Sequence, residues 1–244
     1  MGVELAEILR GKTMKMTKRV VLYLMAFSIL SLSWACRQEQ EQPKSSVPDN
    51  TSTSLIIAAV GDSLTAGLGV EENESYPALL ENRLKSEGYD VRVINAGVSG
   101  ETSSGTLARM DWLLTLKPAI VILETGANDG LRGIDPGLVR SNLEKIIAML
   151  QEKGIIVVFA GMRMAWNLGP GYTSGFNQVY PEIAAEKKLI FMPFFLEGVA
   201  TNPSLNIDDG LHPNPQGYAV IVNNLLPFVK QALAAVEKGQ GVEP

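Results

Sequence analysis

The chain is 244 residues long, 46% hydrophobic and formally −5 at neutral pH, with one histidine and one cysteine. A lone cysteine excludes an internal disulfide framework, and a single histidine beside it leaves too few ligands for a structural zinc site. Beyond Cys36 the chain has 16 basic and 24 acidic residues, a net of −8, which argues against nucleic acid or an anionic membrane surface as partner and for a neutral small molecule.

In chain order, Lys15, Lys18 and Arg19 form a basic head, and Val20 to Ala35 is an uncharged apolar run of 16 residues, ending at Cys36. That run is short of the roughly 20 residues that span a bilayer, and its flanks have the layout of an export signal over residues 1–36. The order of basic head, apolar run, cysteine and polar stretch resembles bacterial lipoprotein signals, which implies lipidation of Cys36 and a membrane-held mature protein. Ala35 fits that pattern, whereas Trp34 and Ser33 depart from it. An ordinary cleaved signal and an uncleaved anchor are the alternatives. Translation starts at Met1, Met14 or Met16. Residues 37–53, rich in Gln, Glu, Ser, Thr and Pro, have too little apolar content to fold and are expected to be a tether.

One domain is expected over residues 54–238, followed by a short tail over 239–244. Leu55 to Val60, Val91 to Ile94, Ala119 to Leu123, Ile155 to Phe159 and Leu189 to Met192 are short apolar runs suited to strands buried on both faces. Helices are predicted between and after them. Tyr76 to Glu87 has Pro77 near its start and Gly88 past its end, and Pro136 to Lys153 carries an apolar stripe and stops at Gly154. Thr106 to Leu116, Phe176 to Lys188 and Pro215 to Val236 complete the set. Alternation of this kind predicts an α/β fold, a three-layer αβα sandwich around a parallel sheet of about five strands with right-handed crossovers. Ligands of such sheets bind at the carboxyl ends of the strands.

Chemistry-bearing residues fall at those ends. Ser63 follows the first strand in Gly61-Asp62-Ser63-Leu64, where its hydroxyl faces the crevice at a helix start. A serine nucleophile needs a neutral imidazole to take its proton and a carboxylate to hold that imidazole. With one histidine in the chain, His212 is the sole candidate base, and Asp209 stands three residues before it. Acyl transfer also needs fixed donors for an oxyanion. The backbone N–H of Gly97, after the second strand, and the side-chain amide of Asn128, after the third, are suited to that. Taken singly, each segment also reads as a turn or a helix cap.

Together, Gly61-Asp62-Ser63-Leu64-Thr65-Ala66-Gly67, Ser99-Gly100-Glu101-Thr102-Ser103 with Leu107-Ala108-Arg109, Gly126-Ala127-Asn128-Asp129-Gly130, and Asp208-Asp209-Gly210-Leu211-His212-Pro213 resemble the blocks of the GDSL or SGNH hydrolase superfamily. The likeness runs from Leu55 to about Leu233 and is strongest to bacterial thioesterase, lysophospholipase and arylesterase enzymes. It implies a flavodoxin-like sheet, with Ser63 as nucleophile, His212 as base and Asp209 as orienting acid, Asp208 being the second candidate. It further implies an oxyanion hole from the N–H groups of Ser63 and Gly97 and the Asn128 amide. Asp62 and Asp129 are expected as braces to backbone. Met162 to Gly169 takes the place of a substrate loop, with Met164, Trp166 and Leu168 as candidate lining. Neither cofactor nor metal is implied. The expected activity is hydrolysis of aryl, short-acyl or lysophospholipid esters. An acetyl esterase acting on glycans, an acyl-CoA thioesterase and a non-catalytic envelope-tethered binding protein are the alternatives.

Overall fold

The computed structural model describes residues 54–164 and 168–239. The expected export signal, Cys36, the tether and Trp166 lie outside the described residues, as does the tail beyond Gly239.

Five parallel strands, β1 (Leu55–Gly61), β2 (Val91–Gly97), β3 (Ile120–Glu124), β4 (Ile156–Ala160) and β5 (Ile190–Met192), form one sheet in the order β2-β1-β3-β4-β5. β3 lies at the centre and every one of its residues is buried. Ile57 pairs with Ile120 and Ile120 with Ile156, so the apolar runs of neighbouring strands lie level with one another. Strands covered on both faces need such runs, and each fully buried Val, Leu or Ile contributes roughly 1.5–3 kcal/mol. The open edge of β2 is protected by side chains: Glu81 Oε2 accepts the Val93 N–H at 2.6 Å, and Asn95 Oδ1 accepts the Gly97 N–H at 3.0 Å.

Eight α-helices accompany the sheet among the described residues: α1 (Ser63–Ala66), α2 (Tyr76–Ser86), α3 (Ser103–Ala108), α4 (Met110–Thr115), α5 (Ala127–Leu131), α6 (Pro136–Glu152), α7 (Pro170–Glu186) and α8 (Pro215–Glu237). α2 and α8 pack together on one face, and α3, α6 and α7 on the other, giving the three layers expected. α6 shows why: Asp135 caps Gly137 N–H, Pro136 opens the helix, and Val139, Leu143, Ile146, Ile147 and Leu150 bury one stripe.

Two of the predicted helices differ from expectation. The helix predicted over Thr106 to Leu116 is two helices, broken at Arg109 (φ −106°, ψ 10°), whose guanidinium turns toward the strand ends. α7 begins at Pro170 rather than Phe176, because Pro170 and Gly171 are exposed and the residue buried in its first turn, Thr173, is polar, which leaves no apolar period to read.

Candidate active site

The strand order reverses between β1 and β3, and their carboxyl ends open the crevice that such a reversal creates. At the end of β1, Asp62 caps α1 by accepting the Leu64 N–H at 3.0 Å, which fixes Ser63 as the first residue of that helix. Close packing makes Gly61 obligatory. A Cβ there would lie 2.2 Å from both the Glu124 carbonyl oxygen and Thr65 Oγ1. Ser63 is only 7% exposed, and its Oγ lies 2.8 Å from His212 Nε2.

His212 is carried by the loop before α8. That loop folds back on itself through the bridge of Asn206 to Pro213 and the Ile207 N–H donating to the His212 carbonyl at 2.9 Å. Gly210, at φ 69°, makes the reversal. Asp209 Oδ1 accepts the N–H groups of Leu211 (2.8 Å) and His212 (3.0 Å), while Oδ2 lies 2.6 Å from His212 Nδ1. Against the desolvation that would raise it, these N–H groups and the imidazole hold the Asp209 carboxyl down at about 2. Asp209 is therefore ionised and accepts from Nδ1, leaving the Nε2 lone pair for the Ser63 hydroxyl. The structure thus joins Ser63, His212 and Asp209 in one hydrogen-bonded line. Asp208 makes no such contact with the ring.

Asn128 lies on α5, just after β3. Its Nδ2 donates to the Glu101 carbonyl at 3.0 Å and lies 3.3 Å from Asp62 Oδ2. Gly97 is placed otherwise than expected. Its N–H is already engaged by Asn95 Oδ1, and its missing side chain serves packing, since a Cβ would lie 2.2 Å from Ala66 N. In the loop beyond it, Gly100 takes φ 79°, and its N–H has no hydrogen-bond partner among the described residues. The Gly100 carbonyl accepts from Arg132 at 2.9 Å.

Two further groups without a role in the sequence analysis, Arg109 and Glu124, shape this crevice, and Asp129 braces a partner distant in sequence. Arg109 holds the Glu101 carboxylate at 2.7 Å and the Ala96 carbonyl at 2.8 Å, pinning the loop whose backbone meets Asn128. Asp129, expected as a brace to backbone, accepts the N–H of Ser103, 26 residues away, and its hydroxyl, at 2.7 Å each. Glu124 is buried beneath the Ser63 turn, 2.8 Å from Thr65 Oγ1. Burial pushes Asp62 up to about 6, although the Leu64 N–H, His212 and Asn128 favour its charge, and burial together with Asp62 raises Glu124 well above the usual carboxylate range.

Of the residues expected to line a substrate loop, Met164 is half-buried and packs over Gly130, where a Cβ would lie 2.4 Å from its sulfur. Asn177 of α7 clamps the Met164 backbone at both N–H (2.8 Å) and carbonyl (3.3 Å). Leu168 is 40% exposed. Cavities of about 470 and 620 Å³ lie elsewhere, at the amino ends of β4 and β5 and beside α2, and none of the three relay residues lines them. Chemistry rather than concavity marks this site. No cluster of three or more His, Cys, Asp or Glu side chains among the described residues is placed to hold a metal.

Comparison with known proteins bears on the family and the class of activity. The family model described as "GDSL-like Lipase/Acylhydrolase family" matches residues 59–220. The chain is 41% identical over 178 residues to the esterase TesA of Pseudomonas aeruginosa, covering 72% of this chain and 89% of that protein. It is also 41% identical over 189 residues to an arylesterase of Vibrio mimicus, covering 77% and 92%. Among solved structures, AlinE4, described as an SGNH-hydrolase family esterase, superposes with a TM-score of 0.62 at 43% identity, over 74% of this chain and 97% of that one. The chain belongs to the GDSL-like lipase/acylhydrolase family and is a carboxylic ester hydrolase.

Proposed function

We propose that this protein hydrolyses small neutral carboxylic esters through an acyl-enzyme on Ser63, as an exported domain tethered through Cys36. The observation that carries the reading is the unbroken line from Ser63 Oγ to His212 Nε2 (2.8 Å) and from His212 Nδ1 to Asp209 Oδ2 (2.6 Å). Ser63 Oγ attacks the ester carbonyl as His212 takes its proton, and Asp209 stabilises the imidazolium. The oxyanion is met by the N–H of Ser63, the amide of Asn128, whose longer contact to Asp62 it replaces, and the N–H of Gly100 in place of Gly97. His212 then protonates the departing alcohol, and water, activated by the same imidazole, releases the acid.

The substrate class follows from charge and lining. A domain with 14 basic and 20 acidic residues over 54–238, a net of −6, repels the phosphates of coenzyme A, which disfavours acyl-CoA, and Met164 and Leu168 offer apolar surface to an aryl or acyl group. The V. mimicus relative is itself named an arylesterase. Export and lipidation rest on the basic head, apolar run and sole cysteine of residues 1–36, followed by the polar stretch 37–53.

One experiment tests these claims together. Bacteria expressing the parent or Cys36→Ser are fractionated, and each fraction is assayed with phenyl acetate, p-nitrophenyl esters of rising chain length, a lysophospholipid, acetylated xylan and an acyl-CoA. Aryl and short-acyl turnover is expected to dominate, in the membrane fraction of the parent and the soluble fraction of the variant. Faster turnover of acetylated xylan or acyl-CoA would overturn the substrate class, and equal membrane retention of both proteins would overturn the anchor.

A further inference from the structure

Glu124 ends β3 with a wholly buried side chain, and no Lys, Arg or His among the described residues pairs with it. Its Oε2 lies 2.8 Å from Thr65 Oγ1, which lies 3.3 Å from the Tyr76 hydroxyl. The carboxyl also accepts the backbone N–H of Asp62, while Oε1 has no partner. Gly61 admits the group, since a Cβ there would stand 2.4 Å from Oε2. Glu124 thus touches Gly61, Asp62 and Thr65, three residues of the turn that presents Ser63.

The titratable groups around it are Asp62 on that turn, Tyr76 on α2, Tyr180 on α7 and Tyr218 on α8. All are acids, and Asp62 is a second fully buried carboxyl. Two adjacent carboxylates without a cation between them do not both ionise; one takes the proton. Asp62 accepts the Leu64 N–H, contacts the Asn128 amide and faces His212, all of which favour its negative charge. Glu124 has one hydroxyl, one N–H and an orphaned oxygen. The charge therefore resides on Asp62 and the proton on Glu124.

We propose that Glu124 is a positioning residue that works as a neutral carboxylic acid. Its O–H donates to Thr65 Oγ1, the Thr65 hydroxyl passes its own hydrogen on to Tyr76, and the Gly61–Thr65 turn is held with Ser63 aimed at His212. No second negative charge then sits beneath the carbon where the oxyanion forms. A carboxylate at the same place would oppose that oxyanion and raise the proton affinity of Asp62.

The proposal rests on Ser63 as nucleophile, but its first readout needs no turnover. Difference infrared spectroscopy of the full protein at pH 7.5 is expected to show a protonated carboxylic C=O band that Glu124→Gln removes. In kinetics, Glu124→Ala is expected to lower kcat by roughly 10- to 100-fold with KM little changed. Glu124→Gln, equal in shape and neutral, should restore most of that loss and keep the acid limb of the pH profile in place. Absence of the band, a Gln variant as slow as the Ala variant, or an acid limb displaced by about one pH unit or more would each overturn the proposal. If Glu124→Ala does not fold, the band and the Gln profile still decide. A parent without esterase activity would sink the role of Ser63, while the band would still report the proton on Glu124.

Discussion

Replacing His212 with alanine is expected to lower kcat/KM by roughly 10⁴- to 10⁶-fold while the urea unfolding midpoint stays near that of the parent. The loss is large because the chain contains no other imidazole. Stability is spared because the ring lies in a surface loop, not in the core. In the parent, pH adds a second signature. Turnover needs ionised Asp62, which caps the Ser63 turn and holds the Asn128 amide, and that condition fails as pH falls. Burial raises Asp62 to about 6, so kcat/KM should drop as pH falls below about 6. The stability linkage has the opposite sign. A carboxyl raised above its unfolded value stabilises the fold at low pH, and that contribution fades as pH rises from about 4 through 6. Activity and stability should therefore diverge across this window, and parallel loss of both on acidification would remove Asp62 from the account.

Asn128→Ala is expected to keep the nucleophile and lose roughly 10²- to 10³-fold in kcat, with KM nearly unchanged, as removal of one oxyanion donor typically does. The amide is held between the Glu101 carbonyl and Asp62 Oδ2, and Arg109 in turn holds Glu101. The donor is thus oriented before substrate arrives. Rapid turnover of p-nitrophenyl acetate by Asn128→Ala would make this residue a turn former only.

Much of this architecture is legible in the sequence because its physics is local. β3 reads as a central strand because Ile120 to Leu123 is an unbroken apolar run, and α6 because its apolar stripe lies between Pro136 and Gly154. His212 is legible as a base by count alone. What stays hidden depends on contacts distant in sequence. Glu124 is visible as one acid closing an apolar strand, but its place beneath Gly61 and Thr65 needs the β1 to β3 packing. The sequence assigns the donor to Gly97 and not to Gly100. Only the approach of Ala66 to Gly97, and the Asn95 side chain on its N–H, separate them. Arg109 reads as a helical residue, and its turn toward Glu101 and Ala96 splits the predicted helix.

The most direct measurement of the central claim is intact-protein and peptide mass spectrometry after brief exposure to a fluorophosphonate ester. A single adduct on Ser63 is expected in the parent. Ser63→Ala should show none, and His212→Ala should label far more slowly, because its hydroxyl has lost the base 2.8 Å away. An adduct on any other residue, or unaltered labelling and turnover in Ser63→Ala, would contradict the account.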